Sequence, residues 1–555
     1  MATVLVNNKP VEIGTDRLNC IQAADRAGVE IPHYCWHPDL SVVASCRMCL
    51  VEVGDKKPDG TVAMQPKLVP GCQTPVKDGS VIITDSPKVK AAQQATLEYL
   101  LLNHPLDCPV CDQAGECGLQ DYSFEYGRGY SRLQEPKNIK PDKDYIGDQI
   151  TLFTDRCIMC TRCVRFTREV SGTAEMQVSS RGSHEEIDIF PGEPCNNKLA
   201  GNIVDICPVG ALCSKDFLYE QRVWWLKSKK SVCPDCSTGC SINVDQNNDT
   251  VYRLKPRYNP LAQGNFMCDD GRFGWKYIHA ENRLSLPAQK DGDKVVTSDW
   301  DQVLNATRTA FQSAGKSSSK KVAAIFSPWM TVEEAYILAS WLKSVSPEIT
   351  LSMTPARVVG EDDTFPKDVH GKAVQPAKFT IRAEKAPNRA GVEAILKHFQ
   401  GSVIPSGQVL SSSPETLFVV GGDPNPEVNA ATASKLGSVK TLAVLDLLDS
   451  PLTKKATFVL AGGSFAERDG SFANHSGLVQ AINRSLQGPL EARPDGRILS
   501  ELAGRGAMFN AAKVRAEIAK AIPEVFGSLG DGKLGEYGIK MGPAVAQAEP
   551  AAAAT

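Results

Sequence analysis

The chain has 555 residues, of which 42% are hydrophobic and 23% charged, and its net charge is −3. This length predicts about three or four domains, and the balanced charge does not indicate nucleic acid as the main partner. No apolar run approaches the roughly 18 residues of a membrane span, and the first residues lack the features of a signal or transit peptide. We therefore expect a cytosolic protein that reaches a membrane only through partners.

Cysteine placement divides the chain into two halves. All 18 cysteines lie between positions 20 and 268, and none follows. Thiols stay reduced in the cytosol, and repeated C-x2-C spacing then favours metal ligation over a disulfide framework. The front half is therefore predicted to carry metal, and the back half is not.

Residues 1–85 predict a small α/β domain that opens with a hairpin. Two short apolar strands, VLV and VEI, flank the dipeptide Asn7-Asn8. A helix is predicted from Asp16 to Ala27, before a glycine that ends it.

The first ligand set lies in this domain and has the spacing C-x10-C-x2-C with a distant fourth cysteine. Plant-type binuclear clusters use a similar close pair and distant fourth ligand, with a shorter first loop. A zinc site is the alternative. Cys20, inside the predicted helix, is interpreted as a small buried hydrophobe. The first set comprises Cys35, Cys46, Cys49 and Cys72.

The second set follows a helix predicted from Ser86 to about Leu102, with Ser at the cap and Pro87 at the first helical position. The stretch HPLDCPVCDQAGECGLQD then offers only three thiolates, whereas a tetranuclear cluster takes four protein ligands. The nearest further ligand is His104; a cap or surface role for it, or ligation by Cys20, Cys195, Cys213 or solvent, are the alternatives. The predicted second set is His104, Cys108, Cys111 and Cys117.

The third set is a C-x2-C-x2-C run with a later Cys-Pro in DICPVG. In two-cluster ferredoxins each run lends its fourth cysteine to the other cluster. Here Thr167 occupies the fourth position of the first run, and Asn197, Ala200 and Ile203 replace the other cysteines of the second run. All ligands of one cluster are therefore lost and all ligands of the other are kept. The third set is Cys157, Cys160, Cys163 and Cys207, and Cys195 and Cys213 are predicted to be structural.

The fourth set has the spacing C-x2-C-x3-C-x27-C. Zinc ribbons usually pair C-x2-C with C-x2-C, so the longer spacings favour a third tetranuclear cluster over zinc. The fourth set comprises Cys233, Cys236, Cys240 and Cys268. Four centres in one chain are too many for one reaction site, and they indicate movement of single electrons over a distance.

The back half shows apolar strands separated by helical stretches, which is typical of a parallel α/β fold. One helix opens with the capping box Thr331-x-x-Glu334. A glycine pair at 421–422, after a strand, is interpreted as a turn, with a phosphate-binding loop as the alternative. The predicted strands are KVAAIF (321–326), EITLSM (348–353), TLFVVGG (416–422), VKTLAVLDLL (439–448) and ATFVLAGG (456–463).

With these four sets in this order, the chain resembles the family of the large iron–sulfur subunit, the G type, of NADH-quinone oxidoreductase (respiratory complex I), over about residues 1–535. The resemblance implies a 2Fe-2S cluster on the first set and 4Fe-4S clusters on the other three, with His104 as a ligand. It implies that electrons arrive from a flavin-bearing, NADH-oxidising subunit at the first set and pass to the third and then the second. They would leave to a ferredoxin-like 4Fe-4S subunit on the way to quinone, with the fourth cluster off this path. It also implies a place in the peripheral arm of a proton-translocating complex, on the cytoplasmic side of the bacterial inner membrane.

The back half resembles the molybdopterin oxidoreductases, which open with a cluster domain like residues 229–285. Residues 465–480, FAERDGSFANHSGLVQ, are similar to a segment that those enzymes place near the pterin. However, no cysteine follows Cys268 to bind molybdenum, and Asp270 stands where those enzymes commonly place a lysine. We therefore expect a scaffold without molybdopterin and without a substrate site or catalytic residue of its own.

The predicted fold class is an α+β front with a β-grasp 2Fe-2S domain and 4Fe-4S domains, followed by an α/β molybdopterin-oxidoreductase-like domain without cofactor. The alternatives are the large subunit of an NAD-linked molybdenum formate dehydrogenase, an iron-only hydrogenase, and a zinc-stapled scaffold. The hydrogenase would need further cysteines in the back half. The predicted domains are 1–85 (2Fe-2S), 86–125 (4Fe-4S with one histidine and three cysteines), 145–228 (4Fe-4S ferredoxin type), 229–285 (4Fe-4S of molybdopterin-oxidoreductase type), 286–540 (α/β) and 541–555 (disordered tail).

Overall fold

The computed structural model describes residues 2–143, 145–437 and 439–544. Its contacts define two compact units. The front unit comprises the described residues up to Trp225 together with Phe365–Ala377, and the back unit comprises Leu226–Thr364 and the described residues from Lys378 to 544. The finer domain boundaries inside these units stay predictions.

The front unit contains short strands and helices joined by the long ligand loops. Its strands are β1 Thr3–Val6, β2 Lys9–Glu12, β3 Leu50–Lys56, β4 Val62–Met64, β5 Val69–Pro70, β6 Ser80–Ile83, β7 Ile150–Leu152, β8 Met176–Ser179, β9 Glu186–Ile189 and β10 Leu212–Ser214. Its helices are α1 Cys20–Arg26, α2 Pro87–Leu101, α3 Gly118–Tyr126, α4 Arg162–Phe166 and α5 Asn202–Ile206.

A mixed sheet of order β2-β1-β6-β3-β4 forms the first domain, with β5 also paired to β3. Strands β1 and β6 run parallel, whereas β1–β2 and β3–β6 are antiparallel. Alternate side chains of β1 are buried beneath α1 in a common apolar core. This architecture agrees with the β-grasp prediction for residues 1–85.

The predicted hairpin is confirmed, because Asn7 and Asn8 both have positive φ, at 46° and 67°, as a two-residue type I′ turn requires. The predicted helix start at Asp16 is wrong. Helix α1 begins at Cys20, because the side chain of Asn19 accepts from the Gln22 amide and the Gln22 side chain caps Asn19 in return.

The second predicted helix is confirmed as α2. The Ser86 hydroxyl accepts from the Val89 amide, and Pro87 occupies the first helical position. Beyond the second set, β7 pairs with β10 and β8 with β9, both antiparallel. Residues 365–377 return to this unit, where the Lys367 amide donates to the Val170 carbonyl at 3.0 Å.

The back unit opens with a small antiparallel sheet and continues into a large α/β sheet. Its strands are β11 Lys227–Val232, β12 Ser241–Asn247, β13 Thr250–Pro256, β14 Ala288–Asp291, β15 Lys294–Thr297, β16 Val322–Phe326, β17 Thr350–Met353, β18 Arg357–Val358, β19 Asp363–Phe365, β20 Phe379–Ile381, β21 Glu384–Lys385, β22 Ile404–Pro405, β23 Thr416–Val420, β24 Thr441–Asp446, β25 Phe458–Ala461, β26 Gly470–Ala473, β27 Leu478–Ile482 and β28 Ile539–Lys540. Its helices are α6 Asp269–Phe273, α7 Trp300–Ser318, α8 Val332–Val345, α9 Arg389–Gln400, α10 Ser406–Ser411, α11 Pro426–Lys435, α12 Asp495–Leu502, α13 Ala511–Ala521 and α14 Pro523–Phe526.

The large sheet has the order β15-β14-β25-β24-β23-β16-β17-β22. The strands from β25 to β22 are parallel, and the hairpin β14–β15 adds an antiparallel edge. In chain order the parallel part reads 3-2-1-4-5-6, which is the doubly wound order. The predicted strands and the parallel α/β pattern are therefore confirmed. The strand order reverses between β16 and β23, where such folds form a crevice.

The structure confirms the predicted capping box of the back half and corrects the predicted start of the tail. The capping box at Thr331 and Glu334 is present at the start of α8. The predicted tail begins too early, because the amides of Met541 and Gly542 donate to the Gly477 and Val525 carbonyls. The rest of the predicted tail, from residue 545 onward, lies outside the described residues.

Candidate metal centres

The first set lies on the loop between α1 and β3 and on the segment after β5. The Cys35 sulfur contacts the sulfurs of Cys46 and Cys72, and Cys49 contacts Cys72. Hydrogen bonds from Cys46 and Cys72 lower the pKa of Cys35, and the same bonds raise the pKa of Cys46 and Cys72. The four thiols are thus linked by pairwise interactions.

Backbone conformation aims amide groups at this first set. Ala44 and Arg47 have positive φ, at 51° and 59°, and the amides of Ser45, Cys46 and Met48 donate to the set's sulfurs. Amides that point at sulfur stabilise thiolates and a cluster bound to them.

The second set is the most exposed of the four. Cys108 is exposed, whereas Cys111 and Cys117 are buried, and the three thiols interact electrostatically. Gly210 lies against the set, since a methyl group on it would come 2.1 Å from the Cys111 sulfur.

His104 has the properties of a free metal ligand. Its Nδ1 is buried and has no hydrogen-bond partner among the described residues. Burial, followed by the charges of Lys137 and Arg156, lowers its pKa to about 4, so the ring is neutral at pH 7. Burial raises the pKa of Cys111, and the positive charge of Arg156 opposes that rise, so His104 and Cys111 both lie within the field of this arginine. A neutral imidazole with an unused buried nitrogen fits the predicted role.

The third set lines one cavity. All four sulfur-bearing residues, Cys157, Cys160, Cys163 and Cys207, line the same small cavity. Met159 and Thr161, between the first three, have positive φ, at 52° and 58°. The Met159 amide donates to the Cys157 sulfur at 3.3 Å.

Burial keeps the third-set thiols protonated when no metal is bound. It raises the pKa of Cys157 to about 12 and that of Cys160 to about 11. It also raises the pKa of Cys163 well above its ordinary value. Metal ligation by these thiols would therefore release protons.

The fourth set lies on the β11–β12 turn and at the start of α6, and all four cysteines are buried. Burial raises the pKa of each thiol, and the Asp235 carboxylate adds to the effect. Gly271 permits close approach, because a methyl group there would lie 2.7 Å from the Cys233 sulfur and 3.6 Å from the Cys268 sulfur.

Residues 465–480 hold the ligand loop of the fourth set. Asn474 Nδ2 donates to the Thr238 carbonyl at 2.9 Å, and Gln480 Nε2 donates to the Gly239 carbonyl at 2.7 Å. The His475 amide donates to the Ser237 carbonyl at 2.9 Å. Asn474, His475 and Gln480 thus all donate hydrogen bonds to the loop between Cys236 and Cys240.

Three of the sets are linked through backbone carbonyls inside the front unit. Arg165 donates to the carbonyls of Cys35 and Cys160, which join the first and third sets. The Pro208 carbonyl, next to Cys207, accepts from the Gly118 amide at 3.1 Å and from the Cys117 sulfur at 3.8 Å. The third set therefore contacts both the first and the second.

The remaining cysteines are buried. Cys20 donates to the Thr74 carbonyl and Cys213 to the Gly210 carbonyl, and Asn197 Nδ2 approaches the Cys195 sulfur at 3.7 Å. Cys213 also interacts with Cys111, but its bond to Gly210 gives it a partner. These contacts favour structural roles for all three.

The glycine pair at 421–422 has its own partners. The Gly421 amide donates to the Leu445 carbonyl at 2.8 Å, and the Gly422 amide donates to Asp446 Oδ1 at 3.0 Å. Both amides are occupied within the protein, which favours the turn over a phosphate-binding loop.

No group of three or more His, Cys, Asp or Glu side chains in the described ranges is arranged to hold a single metal ion. The fit to polynuclear clusters rests instead on the interactions among the thiols of each set, the third-set cavity, the buried His104 nitrogen without a described partner and the glycines beside sulfur. Arg165, Gly210 and Lys385, which lies near Cys236, were not predicted. A short-range signal existed only for Arg165, which lies within the ligand run itself.

These features are typical of an iron–sulfur protein, and four family models match the chain to 2Fe-2S and 4Fe-4S binding domains. The models are a 2Fe-2S iron-sulfur cluster binding domain (residues 1–87), the NADH-ubiquinone oxidoreductase-G iron-sulfur binding region (93–132), the ferredoxin-like domain of NADH-quinone oxidoreductase subunit 3 (147–213) and the molybdopterin oxidoreductase Fe4S4 domain (226–280). Each matched range contains all four residues of one predicted set.

Curated relatives give the more particular likeness, to the G-type subunit of NADH-quinone oxidoreductase. The Rickettsia felis protein of that name is 39% identical over 324 residues, which are 58% of this chain and 46% of the relative. The NADH-ubiquinone oxidoreductase 75 kDa subunit of Reclinomonas americana is 36% identical over 65% of this chain and 51% of its own. The chain spans about half the length of the curated relatives it matches.

Among solved structures, the crystal structure of an NAD+-reducing [NiFe]-hydrogenase in the H2-reduced state is 24% identical. The match covers 40% of this chain and 91% of that chain, with a TM-score of 0.34. None of the helices formed by the described residues has the length and apolar character needed to cross a membrane.

Proposed function

We propose that the chain is the electron-transferring iron–sulfur subunit of an NADH-quinone oxidoreductase of the complex I type. It receives electrons from a flavin-bearing, NADH-oxidising subunit and passes them to a ferredoxin-like 4Fe-4S subunit toward quinone. It works in the peripheral arm of the complex, on the cytoplasmic side of the bacterial inner membrane, and binds the membrane only through its partners.

The proposed ligands are the four sets, with one 2Fe-2S cluster on the first and a 4Fe-4S cluster on each of the others. Such clusters accept and release single electrons when bound. The chain's residues provide thiolates and one neutral imidazole, aim amides at sulfur and keep the sites largely buried. Amide hydrogen bonds and burial set the potential of each site.

One observation supports this proposal above the others: each family match spans one complete ligand set. The contacts inside the front unit support the proposed route as well. Arg165 joins the first set to the third, and Pro208 joins the third to the second. This is the order that the route requires.

We further propose that the back unit is a molybdopterin-oxidoreductase-like scaffold that holds no molybdopterin. The doubly wound strand order supports the proposed fold. The residues inside the crevice support the proposal that no molybdopterin is bound. Arg468 is buried there, donating to Glu334 Oε2 at 3.3 Å and to the Trp329 carbonyl at 2.8 Å. The neighbouring cavity is bordered by the carboxylates of Asp235 and Asp270, and the cation beside them, Lys385, is already paired with Asp235 at 2.8 Å.

Metal analysis and paramagnetic resonance of the anaerobically purified, full-length protein test the proposal. We expect about fourteen irons per chain, equimolar sulfide and no molybdenum, with binuclear and tetranuclear signals after reduction. A colourless, zinc-loaded protein would overturn the proposal in favour of a structural scaffold. About one molybdenum per chain would favour the formate dehydrogenase alternative.

A further inference from the structure

We propose that Arg165, assisted by Arg162, is a positioning residue that joins the first and third sets and carries the electronic contact between them. This inference rests on the proposed function and names the residues that perform one of its steps. Both arginines come from α4, which begins between Cys160 and Cys163.

Arg165 touches a ligand residue of each set through one nitrogen. Its Nη2 donates to the Cys35 carbonyl and, at 3.2 Å, to the Cys160 carbonyl, and its Nη1 donates to the Ser41 carbonyl. The side chain is 6% exposed. A single buried guanidinium therefore closes a hydrogen-bonded path from the backbone of one set to the backbone of the other.

Arg162 makes a second bridge beside the first. Its Nη2 donates to the Trp36 carbonyl at 2.6 Å, next to Cys35, and its Nη1 donates to the Ile206 carbonyl at 3.0 Å, next to Cys207. The two arginines thus bind four backbone carbonyls that belong to ligand residues or to their immediate neighbours. Loss of either would loosen the junction of the two ligand loops.

The charges of these arginines are directed at the clusters' thiolates. In the described part of the chain no carboxylate forms an ion pair with Arg162 or Arg165. The thiols of Cys160, Cys207 and Cys35 lie near Arg162 and would become its opposite charges when a metal binds them as thiolates. A buried cation without an anion is very unfavourable, and Arg165 is buried, so its natural counter-charge is the metal-bound thiolates of both sets.

This arrangement has two consequences. Positive charge next to both sets favours their reduced forms, so removing it should lower both midpoint potentials. The fork of hydrogen bonds also needs the planar guanidinium, which lysine does not reproduce although it keeps the charge. The charge effect and the bridging effect are therefore separable by substitution.

The experiment compares the assembled complex carrying the wild-type chain, Arg165→Met, Arg165→Lys or Arg222→Met. Arg222 is the matched control, because it donates to the Cys111 carbonyl at 2.7 Å beside the second set only. The measurements are iron content, redox titration followed by paramagnetic resonance, and freeze-quenched electron transfer from the first to the third set.

We expect Arg165→Met to lower the potentials of both the first-set and third-set signals and to slow transfer between them by about tenfold or more. Arg165→Lys should keep both potentials near wild type yet slow the transfer, and Arg222→Met should leave the first-set and third-set signals unchanged. If Arg165→Met fails to hold iron, the rate of electron transfer from the first to the third set in Arg165→Lys tests the inference on its own.

Unchanged transfer in Arg165→Lys, or a change in Arg165→Met confined to one cluster, would overturn the inference. Wild-type protein without iron–sulfur signals would instead overturn the proposed function, so the two failures are distinguishable.

Discussion

Lys385 lies beside Asp235, with its Nζ 2.8 Å from the Asp235 Oδ2, and 3.6 Å from the Asp270 Oδ2. Burial opposes its charge, but Asp235, Cys236 and Asp270 outweigh burial and raise the pKa of Lys385. In the sequence, Asp270 replaces the lysine that molybdopterin oxidoreductases commonly have at this position. The structure provides a cation from β21, which approaches the fourth set from another part of the chain.

Lys385→Met should therefore lower the midpoint potential of the fourth-set cluster, because a nearby positive charge stabilises the reduced, more negative form. The three other signals should keep their potentials. Redox titration followed by paramagnetic resonance makes the measurement, with Lys385→Arg as the control that keeps the charge. A fourth-set potential that is equal in both variants and in the wild type would show that Lys385 only anchors Asp235.

The second prediction concerns the imidazole of His104. Its unused buried nitrogen predicts that His104→Ala removes or alters one tetranuclear signal and leaves the binuclear signal intact. His104→Cys should restore a tetranuclear signal at lower potential, because thiolate adds one negative charge. Paramagnetic resonance of the reduced protein is the measurement, and the exposed His398→Ala is the control. An unchanged spectrum in His104→Ala would show that imidazole is not a ligand.

The third prediction concerns Gly210, which follows the Cys-Pro of the third set. An alanine there would place a methyl group 2.1 Å from the Cys111 sulfur and 3.1 Å from the Gln113 Cβ. We expect Gly210→Ala to weaken or abolish the second-set signal and to reduce iron by up to about four atoms per chain. Gly129→Ala is the matched control, since a methyl group there meets no atom within 4 Å. A normal second-set signal in Gly210→Ala would contradict this prediction. It would mean that the Gly210 and Cys111 loops can move apart without loss of the cluster.

The iron–sulfur domains and the strands were predictable because both have local signatures. The strands of the parallel sheet are runs of β-branched and apolar residues, and C-x2-C spacing marks a ligand loop without knowledge of the fold. Helix α1 was misplaced by four residues, because Asn19 caps the helix and not Asp16, which is also a common capping residue. Boundaries of this kind depend on one hydrogen bond rather than on a pattern.

The contacts between distant segments were not predictable. Lys385 meets Asp235 across 150 residues of chain, and residues 365–377 leave the back unit to join the front unit. Asn474 and Gln480, in a segment similar to one that molybdopterin oxidoreductases place near the pterin, hold the fourth ligand loop. No spacing rule links such positions, because the folded sheet alone brings them together.

The last prediction concerns the pH dependence set by Asp446, which is buried at the end of β24. Its Oδ1 accepts from the Gly422 amide and its Oδ2 accepts from Asn429 Nδ2 at 2.6 Å. Burial raises its pKa from 3.8 to about 6. The folded state therefore binds this proton more tightly than the unfolded state between about pH 4 and 6. The stability that the group contributes is present below pH 4 and is lost as the pH rises through 6.

Asp446→Asn should remove this loss, which amounts to about 2–3 kcal/mol for a shift of this size. Hydrogen exchange of the β23 and β24 amides between pH 4 and 7, converted to opening free energies, measures it site by site. The wild-type opening free energy should fall more steeply over this range than that of Asp446→Asn, whereas Asp293→Asn, in the exposed β14–β15 turn, should follow the wild type. Parallel curves for wild type and Asp446→Asn would mean that Asp446 stays ionised in the folded sheet, because the hydrogen bonds of Gly422 and Asn429 then outweigh its burial.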